Sequence, residues 1–267
     1  MKRIVILSDM QIPYHDRRAL KNVLDFIGQY QPDEVHSVGD EVDFPQISRW
    51  TRGMAGEYKG DLQAHCDAFE RVFGRPIRAA YGGPVHFERS NHMDRPLTYV
   101  RTRAPGLMGL KALEVPSLLN FEKYGIQWHE EPYEVAPGWL IAHGDEGASS
   151  RIPGGTAMGL ARRWGYSVVC GHTHKLGLQH DHTIVNNRIT HQRYGFEVGN
   201  LMDMKRAGYL RAGHANWQQG FGILYVEKNR VTPVPVIIRP NGSFVVEGKT
   251  YGQKAASLSI ADGLKAA

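Results

Sequence analysis

The chain opens on an uninterrupted apolar run, Ile4 to Leu7, the pattern of a strand buried on both faces of a sheet. A helix is predicted from about Asp16 to Tyr30, where Leu20, Val23, Leu24, Ile27 and Tyr30 recur at helical spacing and Pro32 stops the run. Glu34 to Val38 reads as a second strand running into Gly39-Asp40. Residues 61–79 are helical in period, with a break or kink expected at Pro76. Pro84 to Arg89 is a third strand, ending at Ser90-Asn91-His92. Residues 95–123 predict helical pieces and turns, 124–129 and 138–143 strands, and 156–164 a helix. Ser167 to Cys170 is a short apolar strand ahead of Gly171-His172-Thr173-His174. Beyond it the chain alternates as antiparallel sheet does, over 178–185, 192–198, 221–227, 231–238 and 243–247. There is no internal repeat and no linker, so one domain is expected over 1–250, with a tail over 251–267.

Composition changes this picture little. At 267 residues and 42% hydrophobic, the chain can bury a substantial core. Its 32 basic against 27 acidic side chains leave +5, which suits a phosphate-bearing substrate but falls short of a dedicated nucleic-acid binder. Cys66 and Cys170 lie far apart with no CxxC spacing, which excludes a cysteine-based zinc site. The first apolar run is too short for a signal core, no membrane segment follows, and a cytoplasmic protein is expected.

One regularity carries the chemistry. Four apolar strands each end in Asp, Asn or His: Asp9, Gly39-Asp40, Asn91-His92 and the pair His172/His174, with His143 closing a fifth. Singly, each has an ordinary reading as a turn, a cap or a surface histidine pair. Together they place ligand-bearing side chains where strand ends converge, which is where open α/β sheets bind ligands.

The series Asp9-x-Gln11, Gly39-Asp40-x-x-Asp43, Asn91-His92, His143-Gly144 and Gly171-His172-x-His174 resembles the calcineurin-like metallophosphoesterase superfamily, whose usual order is DxH, GDxxD, GNH[DE], HG and GHxH. The resemblance spans residue 4 to about 200. It implies an α/β fold, a four-layer α/β/β/α sandwich of two mixed sheets flanked by helices, with the site at one rim. It also implies two divalent ions hydrolysing a phosphate ester. Asp9, Gln11, Asp40 and His174 would hold the first ion, and Asp40, Asn91, His143 and His172 the second, with Asp40 as the bridge. His92 would assist the leaving group and Asp43 would orient His92. Such mixed oxygen and nitrogen donors suit Mn²⁺ first, with Fe, Zn²⁺ and Ni²⁺ as alternatives.

Two positions depart from the pattern. Ser90 stands where glycine is usual, and Gln11 where histidine is usual, so the first ion would be held more weakly. Arg49, Trp50, Arg52 and Arg95 near these motifs could hold a phosphate and stack a base, so a phosphodiester is the preferred substrate, either a cyclic nucleotide or a nucleic acid. The alternatives are a phosphomonoesterase and a non-catalytic scaffold with a degenerate metal site. Of the other histidines, His15 could line the pocket or cap an element, and His180, His182, His191 and His214 read as surface or sheet residues. His36, His65, His86 and His129 have no chemical company that the sequence identifies.

Overall fold

A computed structural model of the chain describes residues 1–59, 61–206 and 215–252. In chain order the elements are β1 (Lys2–Leu7), α1 (Arg17–Tyr30), β2 (Glu34–Ser37), α2 (Leu62–Phe69), α3 (Arg75–Ala80), β3 (Val85–Glu88), α4 (Arg95–Arg103), α5 (Val115–Leu118), β4 (Ile126–His129), β5 (Tyr133–Ala136), β6 (Trp139–Ile141), α6 (Gly155–Trp164), β7 (Ser167–Cys170), β8 (Leu176–Val185), β9 (Arg188–Val198), β10 (Gly220–Glu227), β11 (Arg230–Ile237), β12 (Phe244–Val246) and β13 (Lys249–Tyr251).

The strands form two mixed sheets and a small hairpin. The first sheet has the order β11-β10-β1-β2-β3-β4, with β1 to β4 parallel and β10 and β11 antiparallel. The second runs β5-β6-β7-β9-β8, parallel from β6 through β9 and antiparallel at both edges. β12 and β13 pair with each other.

Side-chain alternation explains why β1 is apolar throughout. Val5 and Leu7 point into a core shared with Leu20, Val23 and Ile27 of α1 and Phe69, Phe73 and Ile77 of the α2–α3 segment. Ile4 and Ile6 point the other way, into a layer shared with Ile141, Val169, Phe196 and Val198 of the second sheet. A third cluster packs Ala157, Met158, Leu160 and Ala161 of α6 on the far face of that sheet, against Val168 and Cys170. The result is the four-layer α/β/β/α sandwich: helices, sheet, sheet, helix.

Several boundaries differ from the sequence reading. The break near Pro76 is a π-helical turn over Glu70–Gly74, between α2 and α3. Pro76 has no N–H to offer the turn before it, and the widened turn absorbs the misfit. The residues 95–123 resolve into α4 and α5 joined by short 3₁₀ turns, because Pro96, Pro105 and Pro116 each restart the chain. β8 and β9 are longer than predicted and are closed by Asn186-Asn187, both left-handed at φ 50° and 58°. β5 was not predicted, since its short alternation is interrupted by a register shift between Glu134 and Ala136. β13 was not predicted either, and it carries the fold past residue 250; the remainder of the expected tail, from 253, lies outside the described residues, as does His214. Pro233 and Pro235 are accommodated because β11 is an edge strand. Among the described residues no helix is long and apolar enough to cross a membrane.

Candidate active site

The strand ends converge. Asp9 follows β1, Asp40 follows β2, Asn91 and His92 follow β3, His143 follows β6, and His172 and His174 follow β7. The backbone there is unusual: Asp9, Gln11, Asp40, His172 and His174 all lie in the left-handed region, at φ 48°, 53°, 58°, 64° and 59°. Non-glycine residues rarely adopt it, and such conformations gather where the fold must aim a functional side chain. Close packing adds a second constraint. A Cβ on Gly39 would come within 2.6 Å of His143 Nδ1, and one on Gly171 within 2.6 Å of Asp9 Oδ2. Only glycine leaves room for those two ligand candidates.

The geometry of one cluster is tight. His143 Nε2 lies 2.9 Å from Asn91 Oδ1, 3.2 Å from His172 Nδ1 and 3.4 Å from Asp40 Oδ1, and His172 Nδ1 lies 3.1 Å from Asn91 Oδ1. His143 Nδ1 sits 2.7 Å from the Val38 carbonyl, which can only accept, so that nitrogen carries a proton and Nε2 is the one left to present a lone pair to a cation. Lone pairs and carboxylate oxygens thus face one another with little to bind but a cation. Their spacing matches the roughly 3.3 Å edge of a tetrahedron built on bonds of about 2.0–2.1 Å. The electrostatics agree. Burial pushes the His143 ring toward neutrality, yet Asp40 and Asp9 outweigh it and raise its pKa to about 9, so a proton rests on Nε2 unless a cation displaces it. His172 moves down, by burial first and then by the proximity of His143.

A further pair, Asp9 and His174, lies close to the first cluster. Asp9 Oδ2 accepts from the Ser8 hydroxyl and, at 2.9 Å, from the backbone N–H of His172. Its other oxygen, Oδ1, is buried without a hydrogen bond, although His174 Nε2 lies 3.1 Å away. Burial raises the Asp9 carboxyl, but His174 outweighs it and the group ends below its ordinary value. An orphaned carboxylate oxygen beside an imidazole nitrogen is a fitting pair of donors for a divalent ion. Gln11, 1% exposed, donates from Nε2 to Asp40 Oδ2 at 3.0 Å. Here its amide nitrogen, rather than the expected oxygen donor, meets the bridging residue. Asp40 itself is divided: Oδ1 faces His143, Oδ2 faces Gln11, and the His92 backbone N–H donates to Oδ1 at 3.1 Å. Burial raises the Asp40 carboxyl, but His92 and His143 pull it well below the usual range. The residues present therefore fit a divalent ion among Asp40, His143 and His172, with Asp9 and His174 as a further pair of donors close by.

His92 stands beside this centre with Asp43 Oδ1 2.7 Å from its Nδ1. Arg95, the first residue of α4, reaches back to the same pair: Nη1 lies 3.0 Å from Asp43 Oδ1 and Nη2 donates to His92 Nε2 at 2.8 Å. A guanidinium only donates, so His92 Nε2 accepts and Nδ1 holds the proton toward Asp43. The sequence suggested Arg95 as a phosphate contact but not its hold on His92.

Ser90, the apparent departure, has work of its own. Its Oγ accepts from the Asp40 backbone N–H at 2.8 Å and from that of Met93 at 3.4 Å, holding the left-handed Asp40 in place. Asn200 does the same for His174, donating to its carbonyl at 3.0 Å, and the preceding Gly199 has φ 80°.

Several histidines fall elsewhere. His15 is buried and borders a different cavity, where burial first, then Arg17 and Arg206, lowers it to about 4. His180, His182 and His191 are exposed on the β8–β9 hairpin. His36, His86 and His129, which the sequence left without company, prove to be neighbours across β2, β3 and β4. His36 meets Glu34 at 3.0 Å and Tyr133 at 2.7 Å, His86 meets His129 at 3.1 Å, and the His36 and His86 rings stack at 4.4 Å and 7°. Glu34, His36 and His86 could be read as a further cation site. Parallel stacked rings, however, direct their lone pairs side by side rather than at one point.

Over 255 residues the chain is 41% identical to the Gene 54 protein of Mycobacterium phage D29 and 39% identical to that of Mycobacterium phage L5, in each case over 94% of this chain and 98% of the relative. The chain belongs to the family of these Gene 54 proteins. No protein-family model matches it. Similar solved structures include Vps29 of Chaetomium thermophilum, at 11% identity and a TM-score of 0.45 over 94% of this chain and 98% of that one. They also include Yfce, a phosphoesterase from E. coli, at 13% identity and a TM-score of 0.36 over 87% and 98%. Likeness of this degree says nothing about activity. The motif order, the four layers and the rim position of the ligand candidates are together the calcineurin-like metallophosphoesterase arrangement.

Proposed function

We propose that the chain is a two-metal phosphoesterase that favours diesters. The observation that carries this is the Asp40, His143 and His172 cluster with the Asp9–His174 pair close by, bordering a cavity that also holds His92 and Arg95. Asp9, Asp40 and His174 would hold one ion, with Gln11 joining them once its amide turns its oxygen inward, and Asp40, Asn91, His143 and His172 would hold the other. Mn²⁺ is favoured, with Fe, Zn²⁺ and Ni²⁺ as alternatives. When bound, such ions supply Lewis acidity and lower the pKa of water near neutral pH.

The chain's own residues do the rest. Arg95 offers a fixed fork of donors to a phosphate oxygen, a stronger acceptor than an imidazole nitrogen. As Arg95 turns to the phosphate, His92 Nε2 is freed to take up a proton from solvent and pass it to the leaving oxygen, while Asp43 at Nδ1 holds the ring in place. Buried Ser90, Gly39 and Gly171 keep the ligand-bearing backbone from shifting as charge develops.

The test is hydrolysis of bis-p-nitrophenyl phosphate and p-nitrophenyl phosphate by metal-stripped protein, with each metal added back. Metal-dependent turnover, faster for the diester, is expected. Faster turnover of the monoester would make the chain a phosphatase, and two tightly bound ions with no turnover would make it a scaffold.

A further inference from the structure

Two cavities open beside the candidate metal centre and share a wall. One, of about 640 Å³, runs from Asp40 and His92 to Tyr14, Arg206 and Trp217. The other, of about 500 Å³, runs from Asn91 and His92 to Tyr99, Arg49 and Arg52. They share the wall formed by Ser48, Trp50, His92, Arg95 and His172. Trp50, 70% exposed, stands on the divide with the Arg49 guanidinium 4.7 Å from its ring centre.

Each cavity pairs aromatic faces with a guanidinium. In the first, Arg206 lies 5.7 Å from the Tyr14 ring centre and Trp217 lies 4.2 Å from the ring of His174. In the second, Tyr99 is fixed by the hydrogen bond it donates to Glu57 at 3.1 Å, beside Arg49 and Arg52. Each volume falls in the range that holds a small organic ligand. A phosphate monoester has one substituent and would leave one side empty. A cyclic nucleotide has one base and would do the same. A linear diester with a base on either side fills both, and its bases can use these rings only if their faces are unpaired.

Resting on the phosphodiesterase reading, we propose that the substrate is an internal linkage of a single-stranded nucleic acid, with the phosphate at His92 and Arg95 and one base in each cavity. Trp50 separates the two bases. Arg206 on one side, and Arg49 and Arg52 on the other, meet the flanking phosphates.

The test has two arms. In the first, metal-stripped protein binds a fluorescent oligothymidylate, followed by anisotropy. Trp50→Ala, Trp217→Ala and Tyr99→Ala each weaken binding on the order of ten-fold, Trp50→Phe restores it, and duplex of the same length competes poorly. In the second, metal-loaded protein hydrolyses thymidylyl-thymidine with higher kcat/KM than thymidine 5′-p-nitrophenyl phosphate or a cyclic nucleotide, and Tyr99→Ala lowers that preference. Unchanged oligonucleotide binding in all three alanine variants, or equal kcat/KM for the dinucleotide and the cyclic nucleotide, would overturn the two-sided cleft. Persistent hydrolysis of bis-p-nitrophenyl phosphate in that case would leave the diesterase reading intact. Binding as expected with no metal-dependent hydrolysis of any ester would uphold the cleft and remove the enzyme.

Discussion

Replacing Ser90 with glycine would restore the residue usual in related motifs, and it should harm this protein. The Ser90 hydroxyl is the acceptor for the backbone N–H of Asp40, at 2.8 Å, in a region where Asp40 is 1% and Ser90 3% exposed. Without it that N–H is left buried and unpaired, which costs about 1–3 kcal/mol. The bond to Met93, at 3.4 Å, adds little. Glycine also loses more chain entropy on folding, roughly 0.5–1 kcal/mol relative to alanine. The sum is a loss of about 1.5–4 kcal/mol for Ser90→Gly, and about 1–3 kcal/mol for Ser90→Ala, which isolates the hydroxyl. Asp40 sits at φ 58°, so a loosened N–H lets its carboxylate wander from both ligand sets, and Mn²⁺ affinity should fall with stability. Urea unfolding of metal-stripped protein measures the first effect through a lower midpoint at unchanged slope, and metal titration measures the second. If both variants unfold within about 0.5 kcal/mol of the parent, a water has taken the hydroxyl's place and Ser90 does not hold the bridge.

Asp40→Ala should lower occupancy of both metal positions and abolish hydrolysis; a metal content near two with activity intact would end the shared-carboxylate assignment. His92→Ala should keep its metals and lose turnover by about 10²–10⁴, more for an alkyl leaving group than for p-nitrophenolate, and an equal loss for both would reduce His92 to positioning. Gln11→His should tighten the first position and shift its preference from Mn²⁺ toward Zn²⁺, read by titrating the stripped protein; no change in either affinity would confine Gln11 to the hydrogen bond it donates to Asp40. Glu88 is buried, and desolvation first, with Glu146 and Glu41 behind it, raises its pKa to about 9. Its proton-bound form costs nothing below about pH 4.5, and stability is lost as pH rises from there toward 9 because the unfolded carboxyl gives up its proton first. Glu88→Gln should therefore stabilise the metal-stripped protein at pH 8 and not at pH 4.5, and an equal effect at both values by urea unfolding would show that Glu88 folds ionised.

The ligand candidates were legible because each follows a strand whose apolar pattern is unmistakable, and strand ends in such sheets meet by topology. Asp9, Asp40, Asn91, His143, His172 and His174 come together as their positions suggested. What surrounds them was less visible. Arg95 reaches Asp43 and His92 only because α4 begins at Arg95 and turns back over a loop 52 residues earlier in the chain. The use of the Ser90 hydroxyl depends on the particular left-handed turn at Asp40 and not on composition. The His36, His86 and His129 array depends on strand order: β2, β3 and β4 are adjacent, and His36 and His86 fall in register, which no local pattern discloses. Pieces of helix in 95–123 were blurred for a different reason, since prolines cut that stretch into units too short to show a period.

The left-handed backbone at Asp9, Gln11, Asp40, His172 and His174 has a consequence for how the centre is loaded. These side chains are aimed by the turns that carry them, which the protein holds through Ser90 at Asp40 and Asn200 at His174. Backbone held in this way does not need an ion to set its direction, and the metal-stripped protein is expected to keep it. An ion entering such a site has little chain to reorganise, and one leaving it need not release the fold. Metals would then exchange within an intact protein, and the ion held there would record the supply around it as much as the preference of its ligands.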